Sequence, residues 1–368
     1  LTPRHRLVER FTTNIAKCYP GVSPGEFQCD LRADASAGSG EYDDLCRIFF
    51  HLRIFSQVTG WIRFGYQMMD SALCNILKFI LDSEWGGNSM SLLTDEEVGF
   101  FKREGYLFKR GVMDPELMAR ARDVLWAAAP PRMKRDDPKT WSGPFHPEEE
   151  VAEPENVRRG HTWKFRVVSS EDWMLRLAAT DKVIWSWVEQ LMGEGTVVRP
   201  ERVRGIYCRL PEIEERNDSV VCHVDAFDPQ KVGEIDMGKL LRPRISLTGL
   251  IATIPPGGGC FTVWPRTHRA VYEVFANLEG QERHRVYHEK LEEFNRQTPV
   301  EACGEPGDIL FWHHLLGHAA GHNRSELIQL REAVLTDWDK KDNEEIAARR
   351  PHRDIWHEWS SEIQAAKI

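Results

Sequence analysis

The pattern of hydrophobic and polar positions divides the chain near residue 90. Residues 1–89 show no sustained helix or strand period, whereas from Met90 onward the local signals agree with one another. We therefore expect a boundary here, with residues 1–89 as an N-terminal extension and residues 90–368 as the main domain. One hypothesis is that Met90 is the natural start and that the extension is upstream read-through. The alternative is a small helical region.

After Met90 the pattern predicts a helix, a short strand and a second helix. Thr94 and Glu97 have the spacing of a capping box. The apolar positions that follow predict a helix over residues 95–103 and a strand over residues 105–108. Asp114 precedes a proline, an order that is typical of the first turn of a helix.

Two segments separate this opening from the later strands. Residues 129–160 are rich in Pro, Asp, Glu and Arg and hold few apolar residues, so we expect a long loop or lid there. Residues 173–192 carry apolar side chains at helical spacing and are followed by Gly193, as helices commonly are. We expect a helix over this segment.

From residue 195 onward the pattern changes to short strands. Alternating or β-branched runs, bounded by Pro and Gly turns, predict strands over residues 203–210, 219–224, 245–254, 260–264, 300–303, 308–313 and 330–335. Many short strands of this kind favour a β-sandwich or barrel. The helices gathered before them favour an α+β arrangement around that core.

Composition narrows the class of protein. With 368 residues, 41% of them hydrophobic, the chain can bury a large core and is not a disordered protein. A formal charge of −9 argues against a nucleic-acid partner, because binding a phosphate backbone needs a concentrated basic face. No apolar run is long enough to span a membrane, so no membrane partner is expected. The eight cysteines form no C-x-x-C pair, which indicates reduced thiols and a cytoplasmic protein.

Three residues suggest a metal site in the strand region. His223 and Asp225 stand two apart, so on a strand their side chains share one face. A further histidine from another strand, His318, would complete a 2-His-1-carboxylate set. That set suits Fe(II) and leaves coordination positions open for substrate and O2.

The H-x-D pattern alone is weak, because a chain of this composition contains it about once by chance. It also occurs at His352 and Asp354, in a charged C-terminal stretch. Too few residues follow Asp354 for a returning strand with a third ligand. We therefore interpret the second H-x-D pair as unrelated to metal binding.

Two sequence blocks accompany the first H-x-D pair. Residues 257–268 read G-G-G-C-F-T-V-W-P-R-T-H, and residues 306–325 read P-G-D-I-L-F-W-H-H-L-L-G-H-A-A-G-H-N-R-S. With the H-x-D strand, they resemble the blocks N-G-x-x-x-x-x-P-G-T-H and P-G-D-x-x-F-F-H-x-x-x-x-H-x-S-x-x-N-x-S of the phytanoyl-CoA dioxygenase family. The resemblance covers about residues 90 to 340.

This resemblance implies a fold, an activity and cofactors. The fold is a double-stranded β-helix, a cupin-like jelly roll with flanking helices. The activity is that of an Fe(II)- and 2-oxoglutarate-dependent dioxygenase, which uses O2, hydroxylates a small-molecule or acyl substrate and releases succinate and CO2. The iron and 2-oxoglutarate carry out the oxidation, so the resemblance implies no catalytic side chain beyond the metal ligands.

The resemblance also implies roles for individual residues. It makes His223, Asp225 and His318 the iron ligands. It makes Arg331 the residue that binds the distal carboxylate of 2-oxoglutarate. A planar guanidinium suits that carboxylate because it binds it through two parallel hydrogen bonds. Lys164 lies near the position of a family lysine that helps to hold the cosubstrate.

Several alternatives stay open at this point. Arg324 competes with Arg331 for the cosubstrate, and His313 competes with His318 for the metal. Ala320 stands where the family usually has a serine, so one polar contact to the cosubstrate is absent or replaced. A cupin enzyme with another metal and no 2-oxoglutarate, or a non-catalytic binding module, would use the same fold. The sequence does not identify the substrate.

Overall fold

The computed structural model describes residues 92–213, 219–225 and 241–368, together with two short strands nearer the N-terminus. Eight helices and thirteen strands are numbered here in chain order within these described parts. Among the described residues, no helix is long and apolar enough to cross a membrane.

The chain divides into two compact units, Leu1–Ser89 and Met90–Ile368. In the first unit, strands β1 (Phe27–Asp30) and β2 (His51–Ile54) pair antiparallel. The remainder of that unit lies outside the described residues. The interpretation of residues 1–89 as an extension or a small helical region therefore stays a prediction.

The second unit opens with helix α1 (Asp95–Glu104). Its capping box is formed as the sequence predicts. Thr94 Oγ1 accepts a hydrogen bond from the Glu97 N–H at 3.2 Å, and Glu97 Oε2 accepts one from the Thr94 N–H at 2.9 Å. The helix ends at Gly105, whose φ of 81° is a left-handed conformation that glycine adopts without strain.

Helix α2 (Pro115–Ala127) also begins where the sequence predicts. Asp114 Oδ1 accepts hydrogen bonds from the N–H groups of Glu116 at 2.8 Å and Leu117 at 3.1 Å. These bonds satisfy two of the donors that a helix N-terminus leaves open. Apolar residues of both helices then join the largest buried cluster among the described residues, which fixes them beside the strands that follow.

Eleven strands belong to the second unit. In chain order they are β3 (Tyr106–Lys109), β4 (Val151–Glu153), β5 (Asn156–Arg159), β6 (Thr162–Phe165), β7 (Gly205–Arg209), β8 (Arg244–Leu250), β9 (Phe261–Trp264), β10 (Val300–Ala302), β11 (Ile309–His313), β12 (Gly317–Ala320) and β13 (Arg331–Asp339). Eight of them form a sheet in the order β3-β11-β8-β13-β7-β6-β5-β4, and three form a smaller sheet in the order β10-β9-β12. All neighbouring strands run antiparallel.

The two sheets share a buried layer of side chains. Phe261 and Val263 of β9 pack in one cluster with Leu310 and Trp312 of β11. The rings of Phe261 and Trp312 lie with their centroids 5.0 Å apart. This packing of two antiparallel sheets confirms the predicted α+β class with a jelly-roll core.

The expected loop over residues 129–160 is wrong in its second half. Strands β4 and β5 pair there as a hairpin and extend the edge of the large sheet. Their side chains are exposed or half-buried. A solvent-facing edge strand tolerates charged residues, so the apolar pattern that reveals a strand is absent.

The expected helix over residues 173–192 is two helices, α3 (Asp172–Ala178) and α4 (Lys182–Met192). Asp181 separates them because its Oδ1 accepts hydrogen bonds from the N–H groups of Val183 at 2.8 Å and Ile184 at 3.2 Å. The capping preference of an aspartate thus outweighs a continuous apolar period.

Helices are also found after the first strands, contrary to the expectation that they gather before them. Helices α5 (Thr267–Asn277) and α6 (Gly280–Asn295) lie between β9 and β10. Both contribute to a separate buried cluster that contains Phe275 and Tyr287. Two short helices, α7 (Asn343–Ala348) and α8 (Ser361–Ala365), follow β13.

Candidate metal centre

Two backbone hydrogen bonds bring His223 and His318 side by side. The His223 N–H donates to the His318 carbonyl at 3.0 Å, and the His318 N–H donates to the His223 carbonyl at 2.9 Å. Residues 219–224, which were expected to form a strand, make only this isolated antiparallel bridge. It adds His223 to the small sheet beside β12 and leaves the two imidazole ring centroids 4.6 Å apart.

Asp225 completes a group of three potential ligand atoms. Its Oδ1 lies 3.4 Å from His318 Nε2 and 3.9 Å from His223 Nε2. Each residue offers one ligand atom, and these atoms lie within 4.8 Å of one another. Three atoms on one face of an octahedron with bonds of about 2.1 Å lie about 3 Å apart. A small closure of the side chains would therefore suffice to bind one ion.

The orientation of His318 is fixed by its surroundings. Its Nδ1 donates to the Leu316 carbonyl at 2.8 Å, which leaves Nε2 directed at Asp225. The imidazole stacks on Phe261 and contacts Trp312, with ring centroids 5.3 and 4.4 Å away. Only 3% of His318 is exposed. This pattern, one nitrogen bonded to a carbonyl and the other free to coordinate, is typical of a metal-binding histidine.

Asp225 is held by an arginine that the sequence did not reveal. Arg204 Nη1 donates to Asp225 Oδ2 at 3.0 Å and lies 3.7 Å from Asp337 Oδ1. Burial by itself raises the pKa of Asp225, but the neighbouring His318 and the charge of Arg204 hold that pKa well below its usual range. Asp225 therefore remains a carboxylate, with Oδ1 facing the histidines.

The protonation state of His223 also suits a cation. Partial burial of a ring that is still half exposed, together with the neighbouring His318, lowers the pKa of His223 to about 4. Its imidazole is neutral at physiological pH, and the neutral ring is the form that donates a lone pair to a metal.

Arg331 is a buried cation at the start of β13, with 2% of its surface exposed. Its Nη1 donates to the Tyr207 carbonyl at 2.9 Å, while its Nε has no hydrogen-bond partner. Burial and the neighbouring Arg209 lower the pKa of Arg331 to about 10. Among the described residues, Arg331 forms no ion pair. A buried guanidinium in this state is costly unless an anion binds to it.

Lys164 lies on β6 and is half-buried. It is paired with Tyr207 in the sheet register, and its Nζ lies 5.5 Å from the Tyr207 ring centroid. Tyr207 is in turn paired with Ala333, two residues beyond Arg331. Because side chains two apart on a strand share a face, Lys164 and Arg331 face the same side of the large sheet.

The competing residues have other partners. Arg324 donates from Nε to Glu212 Oε2 at 3.1 Å, so its charge is already balanced by a carboxylate. The Nδ1 of His313 accepts a hydrogen bond from the Leu315 N–H at 3.1 Å, and His313 is outside the group of metal-ligand atoms. At the second H-x-D pair, the Asp354 N–H donates to His352 Nδ1.

A family model confirms the resemblance seen in the sequence. The model described as phytanoyl-CoA dioxygenase (PhyH) matches residues 101–331, which is more than half of the chain. The chain belongs to the phytanoyl-CoA dioxygenase family. Phytanoyl-CoA dioxygenase family members are Fe- and 2-oxoglutarate-dependent oxygenases that act on small molecules. The prediction of a dioxygenase is therefore confirmed at the level of the family.

Solved structures of similar fold include EctD from S. alaskensis with 2-oxoglutarate and 5-hydroxyectoine, at 17% identity and a TM-score of 0.43 over 71% of this chain and 80% of that one. HygX from Streptomyces hygroscopicus with nickel and 2-oxoglutarate matches at 17% identity and a TM-score of 0.42. The match covers 68% of this chain and 88% of the HygX chain. These similarities are low and add nothing to the family assignment. No protein with a curated description matches the chain significantly.

Proposed function

We propose that this dioxygenase holds Fe(II) through His223, Asp225 and His318 and holds 2-oxoglutarate through Arg331, with Lys164 assisting. The proposed reaction hydroxylates a small-molecule or acyl substrate and releases succinate and CO2. The observation that carries the proposal is the convergence of two imidazole nitrogens and one carboxylate oxygen within 4.8 Å. This donor set matches the 2-His-1-carboxylate arrangement of Fe(II) oxygenases.

The residues present also fit the cosubstrate. Arg331 is buried, and its Nε lacks a hydrogen-bond partner. One carboxylate of 2-oxoglutarate would fill that position and balance the charge. Lys164 faces the same side of the sheet, so a second cation can add to the attraction.

Bound Fe(II) and 2-oxoglutarate would supply the activation of O2 and the oxidation of a substrate C–H bond. The protein's own residues bind and orient these groups. The hydrogen bond from Arg204 holds one oxygen of Asp225, so that the other oxygen is presented to the metal. Phe261 and Trp312 cover the ring of His318 and keep water away from that side of the site.

An anaerobic titration tests the proposal. Metal-free protein is supplied with Fe(II) and then with 2-oxoglutarate, while the weak visible charge-transfer band of the chelate is recorded. We expect the band in the unmodified chain and in Asp354→Ala, the matched control from the other H-x-D pair, and its loss in Asp225→Ala. A folded, unmodified chain without the band would contradict the proposal and favour a cupin enzyme that does not use 2-oxoglutarate.

We further propose a cytoplasmic protein without a nucleic-acid or membrane partner. The four cysteines among the described side chains form no disulfide, which supports a reducing compartment. The formal charge of −9 argues against a phosphate-backbone partner. Thiol counting on chain extracted under conditions that block exchange tests the first point, and disulfide-linked peptides would contradict it.

A further inference from the structure

A second group of potential ligands lies at the edge of the small sheet. In the register of β9 and β10, Ala302 is opposite Phe261, so the next two residues, Cys303 and Cys260, come together beyond the strand ends. Their Sγ atoms are 3.1 Å apart. Glu301 is two residues before Cys303, and its Oε2 lies 3.9 Å from Cys303 Sγ. The three ligand atoms are within 4.8 Å of one another.

Neighbouring backbone groups hold this arrangement in place. Cys260 Sγ donates to the Pro255 carbonyl at 3.2 Å, and Glu301 Oε2 accepts from the Gly257 N–H at 3.1 Å. Cys260 is buried, Cys303 is half-buried and Glu301 is exposed. The group is therefore preorganised on its inner side and open to solvent on its outer side, which gives an ion both fixed ligands and an entry path.

The chemistry of the three groups suits a soft divalent cation. Two sulfur atoms and one carboxylate oxygen meet within 4.8 Å of one another. Soft sulfur ligands select thiophilic metals, and a bound cation would take the thiols in their deprotonated form and balance the charge of the Glu301 carboxylate.

We propose that Cys260, Cys303 and Glu301 form a second metal site, selective for a thiophilic divalent cation such as Zn²⁺. Two sulfurs and one carboxylate oxygen are ligands that Zn²⁺ accepts, with water in the fourth tetrahedral position. Zn–S bonds of about 2.3 Å place the two sulfurs of a tetrahedral site about 3.8 Å apart. A small rotation of the half-buried Cys303 side chain would provide the additional separation.

Cobalt is a suitable spectroscopic probe of this site, because Co²⁺ bound to thiolate gives a near-ultraviolet charge-transfer band. The proposed iron site contains no sulfur, so it cannot produce that band. We expect full-length, metal-depleted chain to show the band on addition of Co²⁺ and to lose it when Zn²⁺ is added in excess. Cys303→Ser should abolish most of the band, and Glu301→Gln should weaken Co²⁺ binding at least about tenfold.

Three control variants separate the second site from other ligands. Glu305→Gln alters a nearby exposed carboxylate outside the group, and Cys208→Ser removes a cysteine far from Glu301 in the sequence. Both should leave the band unchanged. His318→Ala, which removes a proposed iron ligand, should also leave it unchanged, so failure of the iron proposal and failure of this one are distinguishable.

Two outcomes would overturn the proposal. One is a band of equal intensity in the unmodified chain and in Cys303→Ser, which would assign the signal to other cysteines. The other is a disulfide between the Cys260 and Cys303 peptides in chain purified anaerobically. Cys303→Ser and Glu301→Gln change partly exposed side chains, so the test does not depend on substituting the buried Cys260.

Discussion

Arg204 and Asp225 form a hydrogen-bonded ion pair in which Nη1 of the arginine lies 3.0 Å from Oδ2 of the aspartate. The other carboxylate oxygen faces His318 and His223. Arg204 precedes β7 in the large sheet, whereas His318 belongs to β12 of the small sheet. The pair therefore links the carboxylate, which lies beside the small sheet with the two imidazoles, to the large sheet. Arg204 is a positioning residue for the proposed metal ligand.

Removal of this arginine should weaken metal binding. We expect Arg204→Ala to raise the dissociation constant of Mn²⁺ about 10- to 100-fold, as is typical when a partner of a metal ligand is lost. Free Mn²⁺ can be counted by its electron paramagnetic resonance signal. The matched control is Arg202→Ala, because Arg202 pairs with the exposed Glu155 instead. Equal Mn²⁺ affinity in Arg204→Ala and the unmodified chain would show that Asp225 needs no such support.

Arg331 and Arg324 can be distinguished by conservative substitution. Arg331→Lys keeps a positive charge but loses the bidentate geometry of the guanidinium. We therefore expect the 2-oxoglutarate dissociation constant to rise about 30-fold, which corresponds to about 2 kcal/mol of binding free energy. Arg324→Lys should leave it unchanged, because Arg324 is paired with Glu212. The measurement is the 2-oxoglutarate dependence of the anaerobic Fe(II) chelate band. If Arg324→Lys raised the dissociation constant and Arg331→Lys did not, Arg324 would be the residue that binds 2-oxoglutarate.

Parts of this site could be found from the sequence because the signal is local. His223 and Asp225 stand two apart, and His318 lies in a long block that begins with the P-G-D turn. The structure brings those three residues together. Arg204 could not be found in this way, because its partner Asp225 is 21 residues away and one arginine before a short strand is unremarkable.

The difference between local signals and contacts that are distant in the chain also explains which parts of the fold were predicted wrongly. The capping box at Thr94 and the cap at Asp114 are local hydrogen bonds and were predicted correctly. The bounds of strand β12 (Gly317–Ala320), which holds His318, could not be predicted because Gly, His and Ala carry little β-propensity. Its pairing with β9 places it in the small sheet. Sheet order depends on partners distant in the chain, which a single sequence does not specify.

Asp308 of the P-G-D motif has a structural role. It is 4% exposed, and its carboxylate accepts hydrogen bonds from Arg110 Nη1 at 2.6 Å, the Gly111 N–H at 2.9 Å and the Glu305 N–H at 2.9 Å. We expect Asp308→Ala to lower the free energy of unfolding by about 2 kcal/mol, because three hydrogen-bond donors would lose a charged, buried acceptor. Urea denaturation measures this, with the exposed Asp136→Ala as control. A loss equal to that of the control would contradict the assignment.

Arg266 is the one non-glycine residue with positive φ in the described parts of the chain, with φ of 69°. It stands where the family block has glycine. Its guanidinium donates to both carboxylate oxygens of Glu104 at 2.8 Å. We expect Arg266→Ala to lower the melting temperature more than Arg266→Gly, since alanine loses the ion pair and retains the strained backbone, whereas glycine loses only the ion pair. Equal melting temperatures would show that the backbone conformation carries no cost.

Glu104 should make stability depend on pH. Hydrogen bonds from Arg266 and Arg103 lower the pKa of Glu104 below its ordinary value, although burial opposes them. A lowered pKa in the folded state means that the carboxylate stabilises the fold fully above the unfolded pKa of about 4.3 and loses this effect as the pH falls through the folded value. Glu104→Gln should therefore melt below the unmodified chain at pH 7, and the difference should shrink below about pH 4. Thermal unfolding of both chains across this pH range measures the difference. A difference that stays constant down to the lowest pH at which both chains fold would exclude Glu104 as its source.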